Sequence, residues 1–364
     1  MYIKEIKLKN FRNYNEEKIE LNEKTNIIYG DNAQGKTNII EAIYLSSLGK
    51  SFRTKNEKEL IKFNENKAEI EVKYQKKDRE GKVKIIIENR KELYLNDIKM
   101  KKLSDILGNI YVVIFSPENI NILNDDPSKR RKFLDIMISQ IKPMYAHILN
   151  QYKKVLEQKN NYIKQIKFEG KLKQNLDIWD EQLAEYSIKI NEYRKIFIEK
   201  LNKKIEKIHF DATNEKIEIK YKTDVIEKEK CLNRIKENRE NDIRKGYSTI
   251  GVHRDDFEIF IKNKDVSIYG SQGQKRTSII SLKLAEAEVI YEEKQEFPII
   301  LLDDFMSELD EKRIKGFIEN IQNNQVLITT TDKINLDTVV YNLYKVEKAK
   351  VERIDKNGKI WAWV

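Results

Sequence analysis

The chain has 364 residues and a net charge of +10, with 40% hydrophobic and 36% charged residues, a balance typical of a packed globular protein rather than a disordered one. No stretch approaches the roughly 18 apolar residues that a membrane-spanning helix needs, and the first residues, MYIKEIKLKNF, lack an apolar signal-peptide core, so we expect a cytoplasmic protein without membrane contact. The single cysteine, Cys231, excludes an intrachain disulfide, and the wide spacing of the three histidines argues against a zinc site.

The first hundred residues are predicted to form mostly strands, with apolar residues at every second position. These predicted strands cover 2–8, 18–21, 25–29, 68–74 and 82–88. One helix interrupts them from about Lys36 to Leu48, and a further apolar strand within 109–115 ends where Pro117 stops it. This part of the chain therefore predicts the beginning of an α/β domain.

Residues 126–245 have a different character, because long segments with an apolar period of 3.6 residues replace the strands, and glycine and proline become rare. They predict an inserted helical domain. Its paired arms of roughly 30–40 helical residues would span roughly 45–60 Å. Such an insert is a short lid or arm, and it is too short for a long coiled-coil tether.

After Gly246 the alternation of strands and helices returns. We predict strands at 257–262, 266–269, 299–302 and 326–330, helices at 274–292 and near 310–321, and a charged terminal tail. Alternating helices and apolar strands favour a largely parallel sheet covered by helices. The predicted organisation is an α/β head made of 1–125 and 246–364, interrupted by the helical domain at 126–245.

The segment GDNAQGKT, residues 30–37, lies between an apolar strand and an amphipathic helix, which is the context of a phosphate-binding P-loop. Gly30 and Gly35 allow backbone N–H groups to approach phosphate oxygens at the helix N-terminus. Lys36 would reach the β- and γ-phosphates of ATP, and the Thr37 hydroxyl would bind Mg²⁺. The other residues of the loop complete the predicted ATP site: Asp31, Asn32, Ala33 and Gln34.

A second apolar strand, in PIILLDD at 298–304, ends in two acids. A P-loop needs a carboxylate to hold magnesium, and Asp303 is predicted to supply it, directly or through water. Asp304 is predicted to orient or deprotonate the attacking water, so that it and Lys36 are the candidate catalytic residues. A buried strand with a polar cap would account for the apolar run but not for two adjacent acids.

The order of these motifs resembles the ABC-type ATPases of the SMC family: a P-loop, a helical insert, a Ser-x-Gly-Gln turn that opens a helix, and an apolar strand with two acids followed by SELD at 307–310. Finer motifs resemble those of the RecF family of bacterial recombination mediators. These motifs are LKNFRNY at 8–14, FSPENINIL at 115–123, DPSKRRKFLD at 126–135, GVHRDD at 251–256 and YGSQGQKR at 269–276, together with the extended P-loop segment at 30–54. The resemblance implies an ABC-type P-loop ATPase head with a mixed sheet and an inserted helical lid.

The resemblance also implies a role for the turn at 270–274, GSQGQ, which in this class caps the γ-phosphate held by the P-loop of a second subunit. The Ser271 hydroxyl, the Gly273 backbone and the N-terminus of the following helix are uncharged donors that suit this task. Two ATP molecules would then lie between two copies of the chain. Gln272 and Gln274 complete the turn, and Asp310 would lie at the dimer seam. The alternative for the turn is an ordinary serine helix cap.

Several positions differ from the pattern of the larger family. Asp304 stands where glutamate is common, so we expect slow turnover and an ATPase that serves as a dimerisation switch. Glu118, Thr331 and Asp332 stand where other members often carry glutamine and histidine. By resemblance Arg12 contacts the α-phosphate, and the alternative is an exposed arginine in a turn.

Resemblance to the RecF family implies binding to double-stranded DNA near single-strand gaps, and cooperation with the RecR and RecO mediators in loading the RecA recombinase. The candidate contacts to DNA phosphates are Lys50, Arg53 and Lys55 after the first helix, and Lys129, Arg130, Arg131 and Lys132 at the start of the insert. No base-reading motif is present, so binding should depend on backbone charge and weaken with salt. Arg254, Asp255 and Asp256 are interpreted as a structural ion-pair network rather than as catalytic groups.

The leading hypothesis is an ATP-dependent DNA-binding switch that acts in recombinational gap repair and supports DNA replication. A first alternative is an SMC-like structural head that organises DNA, against which the short insert argues. A second is the ATPase component of a nuclease, for which the 60 residues after Asp304 leave little room for a nuclease domain in the same chain.

Overall fold

The computed structural model describes residues 1–77, 79–117, 121–124, 126–169, 173–225, 227–305, 311–331 and 341–354. The chain divides into two compact units, the first made of Met1–Ile120 and Ile280–Val364 and the second of Asn121–Ile279. In chain order the elements are β1 (Tyr2–Phe11), β2 (Tyr14–Glu20), β3 (Thr25–Tyr29), α1 (Lys36–Leu48), β4 (Ala68–Lys76), β5 (Arg79–Ile87), β6 (Lys91–Leu95), β7 (Ile98–Lys99), β8 (Val112–Phe115), α2 (Pro127–Ile141), α3 (Pro143–Glu169), α4 (Asp177–Thr213), β9 (Ile217–Lys222), α5 (Lys228–Glu237), α6 (Arg239–Lys245), β10 (Asp256–Ile261), β11 (Lys264–Asp265), α7 (Val266–Tyr269), α8 (Gln272–Lys294), β12 (Ile299–Asp303), α9 (Glu311–Asn320), β13 (Val326–Thr330), β14 (Tyr341–Glu347) and β15 (Lys350–Arg353).

The first unit contains a sheet with the strand order β15-β14-β3-β13-β12-β8, in which β15 is antiparallel and the other strands are parallel. Every residue of β8, β12 and β13 is buried, as expected for parallel strands at the centre of a domain. Helix α1 packs on this sheet. Strands β3 and β12 both pair in parallel with β13, so their carboxyl ends lie at the same edge of the sheet. The P-loop follows β3 at this edge, and the two acids lie at the end of β12.

A second sheet in the first unit is antiparallel, with the strand order β2-β1-β4-β5-β6-β7. Its strands alternate buried and partly exposed residues, as in β4, because only one face packs on the core. The prediction of a largely parallel sheet therefore holds for one of the two sheets only. The short strands β6 and β7 were not predicted, because five and two residues are too few to show a clear period.

The C-terminal segment predicted as a charged tail contains the hairpin of β14 and β15, so that prediction was wrong. Its charged residues obscure a period of two: Asn342, Tyr344 and Val346 are buried while their neighbours are more exposed. Lys348 and Ala349 form the two-residue turn with positive φ angles of 49° and 56°, which is the geometry that tight hairpins favour.

The second unit contains the long helices α3 and α4, of 27 and 37 residues, and a small antiparallel sheet in the order β11-β10-β9. It runs from 121 to 279, whereas the sequence placed the insert at 126–245; the difference arises because β10 pairs with β9, for example Ile259 with Ile219. No helix in the described ranges is both long and apolar enough to cross a membrane.

Residues 266–269, predicted as a strand, form the single helical turn α7. The Asp265 carboxylate caps this turn by accepting a hydrogen bond from the Ser267 backbone N–H at 2.8 Å, and Gly270 ends it. The apolar residues of a four-residue segment do not distinguish a strand from one helical turn. The hydrogen bond from Ser267 to Asp265 favours the helical turn.

Candidate nucleotide site

The P-loop connects β3 to α1 and includes two glycines that could not be replaced by a larger residue without a steric conflict. Gly30 has a φ of 154°, and a Cβ there would lie 2.3 Å from the carbonyl oxygen of Val346 in β14. Gly35 has a φ of 119°, and a Cβ there would lie 2.8 Å from the side-chain amide of Asn13. Both positions therefore require glycine, because a side chain would meet Val346 or Asn13, while the predicted approach to phosphate oxygens stays a prediction.

Lys36 is the first residue of α1 and is only 4% exposed. Its ammonium donates hydrogen bonds to the carbonyl oxygens of Gly30 and Asp31, at 2.6 and 2.9 Å. Asp31, Asn32 and Ala33 are exposed at the tip of the loop. The positive charge thus lies inside the loop that is predicted to hold the phosphates.

Thr37 and Asp303 meet although they are 266 residues apart in sequence: the Thr37 hydroxyl donates to Asp303 Oδ1 at 2.8 Å. The Thr329 hydroxyl of β13 donates to the same oxygen at 2.8 Å. Burial raises the pKa of the Asp303 carboxyl, while the hydrogen bonds from Thr329 and Thr37 act in the opposite direction. The two predicted metal-binding residues are therefore neighbours.

The residues around Thr37 and Asp303 fit a Mg²⁺ ion, because hydroxyl and carboxylate oxygens are the ligands it prefers. In the described part of the chain, no group of three or more His, Cys, Asp or Glu could hold a metal. A magnesium ion held by Thr37 and Asp303 would thus need further oxygens from phosphates and water, as is usual for this ion at nucleotide sites.

Asp304 follows the last residue of β12 and leaves the strand with a φ of 48°. Its backbone N–H contacts the carbonyl oxygen of Thr329 at 3.3 Å and the hydroxyl of the same residue at 3.1 Å. Left-handed φ angles are uncommon in residues other than glycine, and they occur often at functional sites. The contacts to Thr329 hold Asp304 in this conformation beside Asp303.

Two hairpins support the P-loop through contacts that the sequence did not predict. In the first hairpin, the side chain of Asn13 in the turn donates to the Gln34 carbonyl at 2.9 Å, and the hydroxyl of Tyr14, the first residue of β2, donates to the Gly35 carbonyl at 3.1 Å. In the turn between β14 and β15, the Lys348 backbone N–H donates to the Gln34 side chain at 2.6 Å. Gln34 is thus fixed from both sides.

Arg12 forms a bidentate ion pair with Glu41, a buried residue of α1, at 2.8 and 2.7 Å. The same carboxylate accepts a hydrogen bond from the Ser51 hydroxyl at 2.5 Å and lies 3.4 Å from the Arg53 guanidinium. Glu41 is a residue that sequence reasoning missed. The signal was a single charged residue within the otherwise uncharged stretch 39–48 of a helix, since such charges are buried only when they are paired.

We expect Glu41→Ala to lower the free energy of unfolding by about 3 kcal/mol, because it leaves the Arg12 guanidinium without its buried partner. Chemical denaturation with urea would measure the change. Glu57→Ala is the matched control: Glu57 pairs with Lys91 at an exposed position, so its loss should cost less than about 1 kcal/mol. Equal effects of the two substitutions would contradict the role given to Glu41.

An open groove of about 990 Å³ lies beside these residues in the first unit. Its lining includes Arg12, Asn13, Asn38, Arg53, Lys62 and Phe63. Phe63 is 86% exposed, so an apolar ring stands among amide, cationic and acidic groups, the acidic ones being Glu59, Glu65 and Glu88. A groove of this size and lining can hold a small ligand that combines a flat ring with polar groups.

The turn at 270–274, in the second unit, forms a capping box at the start of α8. The Ser271 hydroxyl accepts a hydrogen bond from the Gln274 backbone N–H at 3.2 Å, and the Gln274 side-chain oxygen accepts one from the Ser271 backbone N–H at 3.1 Å. Ser271 and Gln272 are exposed, and Gly273 is partly exposed. Capping does not exclude ligand binding, because the hydroxyl hydrogen of Ser271 remains able to donate.

The predicted DNA contacts lie in different surroundings. Arg130 pairs with Asp256 through two hydrogen bonds of 2.7 and 2.8 Å, and Arg131 donates to the carbonyl oxygen of Asp255 at 2.7 Å. Both arginines therefore hold the second unit together. The exposed candidates among the basic residues are Lys50, Arg53, Lys55, Lys129 and Lys132.

Asp255 also belongs to a buried network centred on Arg194 of α4. The Arg194 guanidinium contacts Asp255 at 3.2 Å and Asp135 at 2.9 Å. Arg254, which the sequence grouped with the neighbouring acids, lies over the Tyr247 ring with 5.2 Å to the ring centroid. The acids of GVHRDD thus form structural ion pairs with partners that are distant in sequence.

His253 is held between Tyr152 and Ser248. Its Nδ1 lies 2.5 Å from the Tyr152 hydroxyl and its Nε2 lies 3.0 Å from the Ser248 carbonyl oxygen. Burial is the main reason why the pKa of His253 falls from 6.5 to about 4. The imidazole is therefore neutral at physiological pH.

The second unit should lose stability in mildly acidic solution because of His253. Between pH 6.5 and pH 4 the unfolded state binds a proton that the folded state does not, so the free energy of unfolding falls as the pH falls. From pH 8 to pH 5 the loss is about 2 kcal/mol. Urea midpoints at both pH values would measure it. His253→Asn should show a smaller pH dependence, and an unchanged dependence would contradict this assignment.

Some predicted residues lie outside the described residues: Asp310 of SELD, Glu118 and Asp332. Their roles stay predictions. Thr331, which directly follows β13, is exposed.

Comparisons with known proteins give a consistent result over more than nine tenths of the chain. The RecF/RecN/SMC N terminal domain family matches residues 2–354. A protein of Clostridium botulinum (strain ATCC 19397 / Type A), named DNA replication and repair protein RecF, is 42% identical over 368 residues, which cover 97% of this chain and 100% of the relative. A protein of the same name from Acetivibrio thermocellus is 42% identical over 346 residues, which cover 92% and 94%.

Two solved structures match in three dimensions. The recombination mediator protein RecF with ATP, from the RecFOR pathway, has a TM-score of 0.91 at 40% identity, with 97% of this chain and 98% of that chain covered. The Smc head domain of Pyrococcus furiosus has a TM-score of 0.56 at 19% identity, with 97% and 96% covered, and is similar in fold alone. These matches confirm the predicted ABC-type head fold with a mixed sheet.

Proposed function

Because this chain belongs to the RecF/RecN/SMC N terminal domain family, and within it to RecF, we propose that it is an ATP-dependent DNA-binding protein that dimerises on ATP and acts in recombinational repair of single-strand gaps. The relatives are named as DNA replication and repair proteins, and two similar solved RecF structures contain ATP or an ATP analogue. In this role the protein helps to load the RecA recombinase with the RecR and RecO mediators, and it supports DNA replication.

The contact between Thr37 and Asp303 is the observation that carries the nucleotide part of the proposal. A hydroxyl on the first turn of α1 and a carboxylate at the end of β12 converge at 2.8 Å, beside a buried lysine. Magnesium bound there would neutralise charge on the phosphates and orient them. Lys36 would exchange its contacts with the loop carbonyls for contacts with phosphate oxygens.

The neighbouring groove offers a place for the ribose and base of the same nucleotide. Asn13 lines the groove and also holds the Gln34 carbonyl of the P-loop, so the two sites are adjacent. Arg12 lines it too, which keeps the proposed α-phosphate contact open, although its guanidinium is paired with Glu41. Phe63 offers an exposed ring on which a base can stack.

Hydrolysis is proposed to depend on Asp304, which would hold or deprotonate the attacking water. Its carboxyl is one methylene shorter than that of a glutamate, so the water would be placed less favourably and turnover would be slow. The protein would accordingly use ATP as a switch, in which binding closes the dimer and slow hydrolysis opens it.

The dimer is proposed to close through the turn at 270–274, which would cap the γ-phosphate held by the P-loop of a second copy. Two features of the turn support this: Ser271 is exposed and retains a hydroxyl hydrogen to donate, and the two residues before Gly270 form an exposed apolar surface. Ile268 and Tyr269 are each 69% exposed, and exposed apolar neighbours of this kind often mark interfaces. Asp310 is proposed to lie at the same seam.

DNA binding is proposed to depend on exposed basic residues: Lys50 and Arg53 near the nucleotide site, and Lys129 in the second unit. Arg130 and Arg131 were candidates as well, but their pairing with Asp256 and Asp255 favours a structural role within the second unit. Contacts to phosphates without base readout would make binding to double-stranded and gapped DNA weaken steeply as salt rises.

The dimensions of the second unit favour this function over that of an SMC-like structural head. Helices α3 and α4 have 27 and 37 residues, which correspond to roughly 40 and 55 Å. Arms of this length can form a lid but cannot tether distant DNA segments.

Sedimentation velocity of the full chain with Mg²⁺, with and without ATP, tests the proposal. We expect a shift from monomer to dimer on addition of ATP, and a reduced shift with ADP. Sedimentation that is the same in all three conditions would refute the switch. Incubation with nicked plasmid, Mg²⁺ and ATP tests the nuclease alternative, which cleavage would favour.

A further inference from the structure

An acidic residue lies beneath the turn at 270–274 and contacts it directly. Glu215 belongs to the turn between α4 and β9, and its Oε2 accepts a hydrogen bond from the Gln274 side-chain amide at 3.2 Å. Its other carboxylate oxygen accepts one from the Lys262 ammonium at 2.8 Å. Three separate segments of the chain thus meet at one carboxylate, which is 21% exposed.

The Gln274 side chain is held at both ends of its amide. The amide oxygen accepts the Ser271 backbone N–H in the capping box, and the amide nitrogen donates to Glu215. A rotated amide would place its oxygen against the carboxylate and its nitrogen against the backbone donor, so only one orientation satisfies both contacts. Glu215 therefore selects the Gln274 conformation that completes the cap around Ser271.

Lys262 neutralises the negative charge of Glu215 beneath the turn at 270–274. It lies in the turn between β10 and β11, where its φ of 50° is left-handed, and its side chain is 70% exposed. The Lys262 hydrogen bond, followed by that of Gln274, lowers the pKa of Glu215, so the carboxylate is ionised at neutral pH. A lone anion at this place would repel an approaching phosphate, whereas the pair with Lys262 carries no net charge.

We propose that Glu215 is a positioning residue for the γ-phosphate-capping turn: it fixes Gln274, and with Lys262 as its counter-ion it presents the Ser271 hydroxyl to the nucleotide bound by a second copy of the chain. This inference rests on the proposed ATP-driven dimer. According to this inference, the turn between α4 and β9 in the helical insert contributes to the dimer interface. It does so through Glu215, which does not itself contact the nucleotide.

Glu215→Ala tests the proposal by sedimentation of the full chain with Mg²⁺ and a slowly hydrolysed ATP analogue. We expect the dimer dissociation constant to rise about tenfold, because a two-fold dimer loses the contact at both of its sites. ATP binding by the monomer and the melting temperature should stay close to those of the unmodified protein. Glu215→Gln keeps an acceptor for Gln274 and should restore most of the dimerisation.

The matched control is Glu258→Ala. Glu258 is 22% exposed, lies in the same unit and pairs with Lys222, so its removal deletes a similar ion pair that does not contact the turn. Dimerisation of this variant should be unchanged. The inference would be overturned if Glu215→Ala dimerised as well as Glu258→Ala while Ser271→Arg did not dimerise. The proposed function would remain intact in that case.

Lys262→Ala gives an independent readout of charge. It leaves the Glu215 carboxylate uncompensated, so dimerisation should weaken at low salt and approach that of the unmodified protein as salt screens the repulsion. Adding Lys262→Ala to Glu215→Ala should cause no further loss, since the repelling anion is already absent. Additive losses would contradict the proposed counter-ion role. If the unmodified protein does not dimerise with nucleotide, the proposed function itself fails.

Discussion

Ser271→Arg should abolish ATP-dependent dimerisation while each monomer still binds ATP. The arginine adds bulk and charge at an exposed position and removes the hydroxyl that the turn would offer to the γ-phosphate. We expect the dimer dissociation constant to rise at least about 100-fold, because a symmetric dimer suffers the clash twice. The contacts that hold the P-loop come from Asn13, Tyr14 and Lys348 and do not involve the substituted residue, so monomer affinity should be unaffected.

Sedimentation velocity with Mg²⁺-ATP, alongside fluorescence titration of a labelled nucleotide, measures both quantities. Gln182→Arg is the matched control, since it places the same side chain at an exposed position of α4 in the same unit. That variant should dimerise normally. A Ser271→Arg protein that dimerises like Gln182→Arg would show that the turn does not reach the nucleotide of a second copy.

Lys36→Arg should reduce ATP turnover by at least about 100-fold, with weakened or retained ATP binding. The Lys36 ammonium lies 2.6 Å from the Gly30 carbonyl oxygen at a position that is 4% exposed. A planar guanidinium is larger and directs its donors differently, so it cannot contact the phosphates in the same way. The charge remains, which is why binding is affected less than turnover.

Release of phosphate under single-turnover conditions, combined with equilibrium binding of ATP, separates the two effects. Lys24→Arg is the control, because Lys24 is exposed and belongs to the same unit. Its turnover should match that of the unmodified protein. Normal turnover by Lys36→Arg would mean that this lysine does not act on the transferred phosphate.

The local pattern of the sequence predicted the elements that depend on near neighbours. The helix bounds at Lys36 and Leu48 agree with the structure, because the glycines on either side determine where it begins and ends. The buried strand of PIILLDD and the P-loop were likewise recognisable, since an apolar run and a glycine-rich loop each lie within one short segment. Resemblance to a family then predicted the fold that the comparisons confirm.

Residues 266–269 and the C-terminal hairpin show the limits of local patterns. Four residues cover about one helical turn or two strand repeats, which is too short a segment to distinguish the two periods. The charged residues of β14 and β15 hide the buried alternation. The difference between the predicted end of the insert at 245 and the end of the second unit at 279 has another cause. β10 lies after the helical region in sequence but pairs with β9 within it, and strand pairing is not encoded in the period of either strand.

The sequence by itself determined which residue types stand at the P-loop, at the acid strand and at the serine turn. Only the tertiary structure decided which distant groups meet there: Thr37 with Asp303, Arg12 with Glu41, and Gln274 with Glu215. The physical reason is that secondary structure follows from contacts within a few residues, whereas a buried charge or a fixed side chain obtains its partner from the order of strands and the packing of elements far apart in the chain.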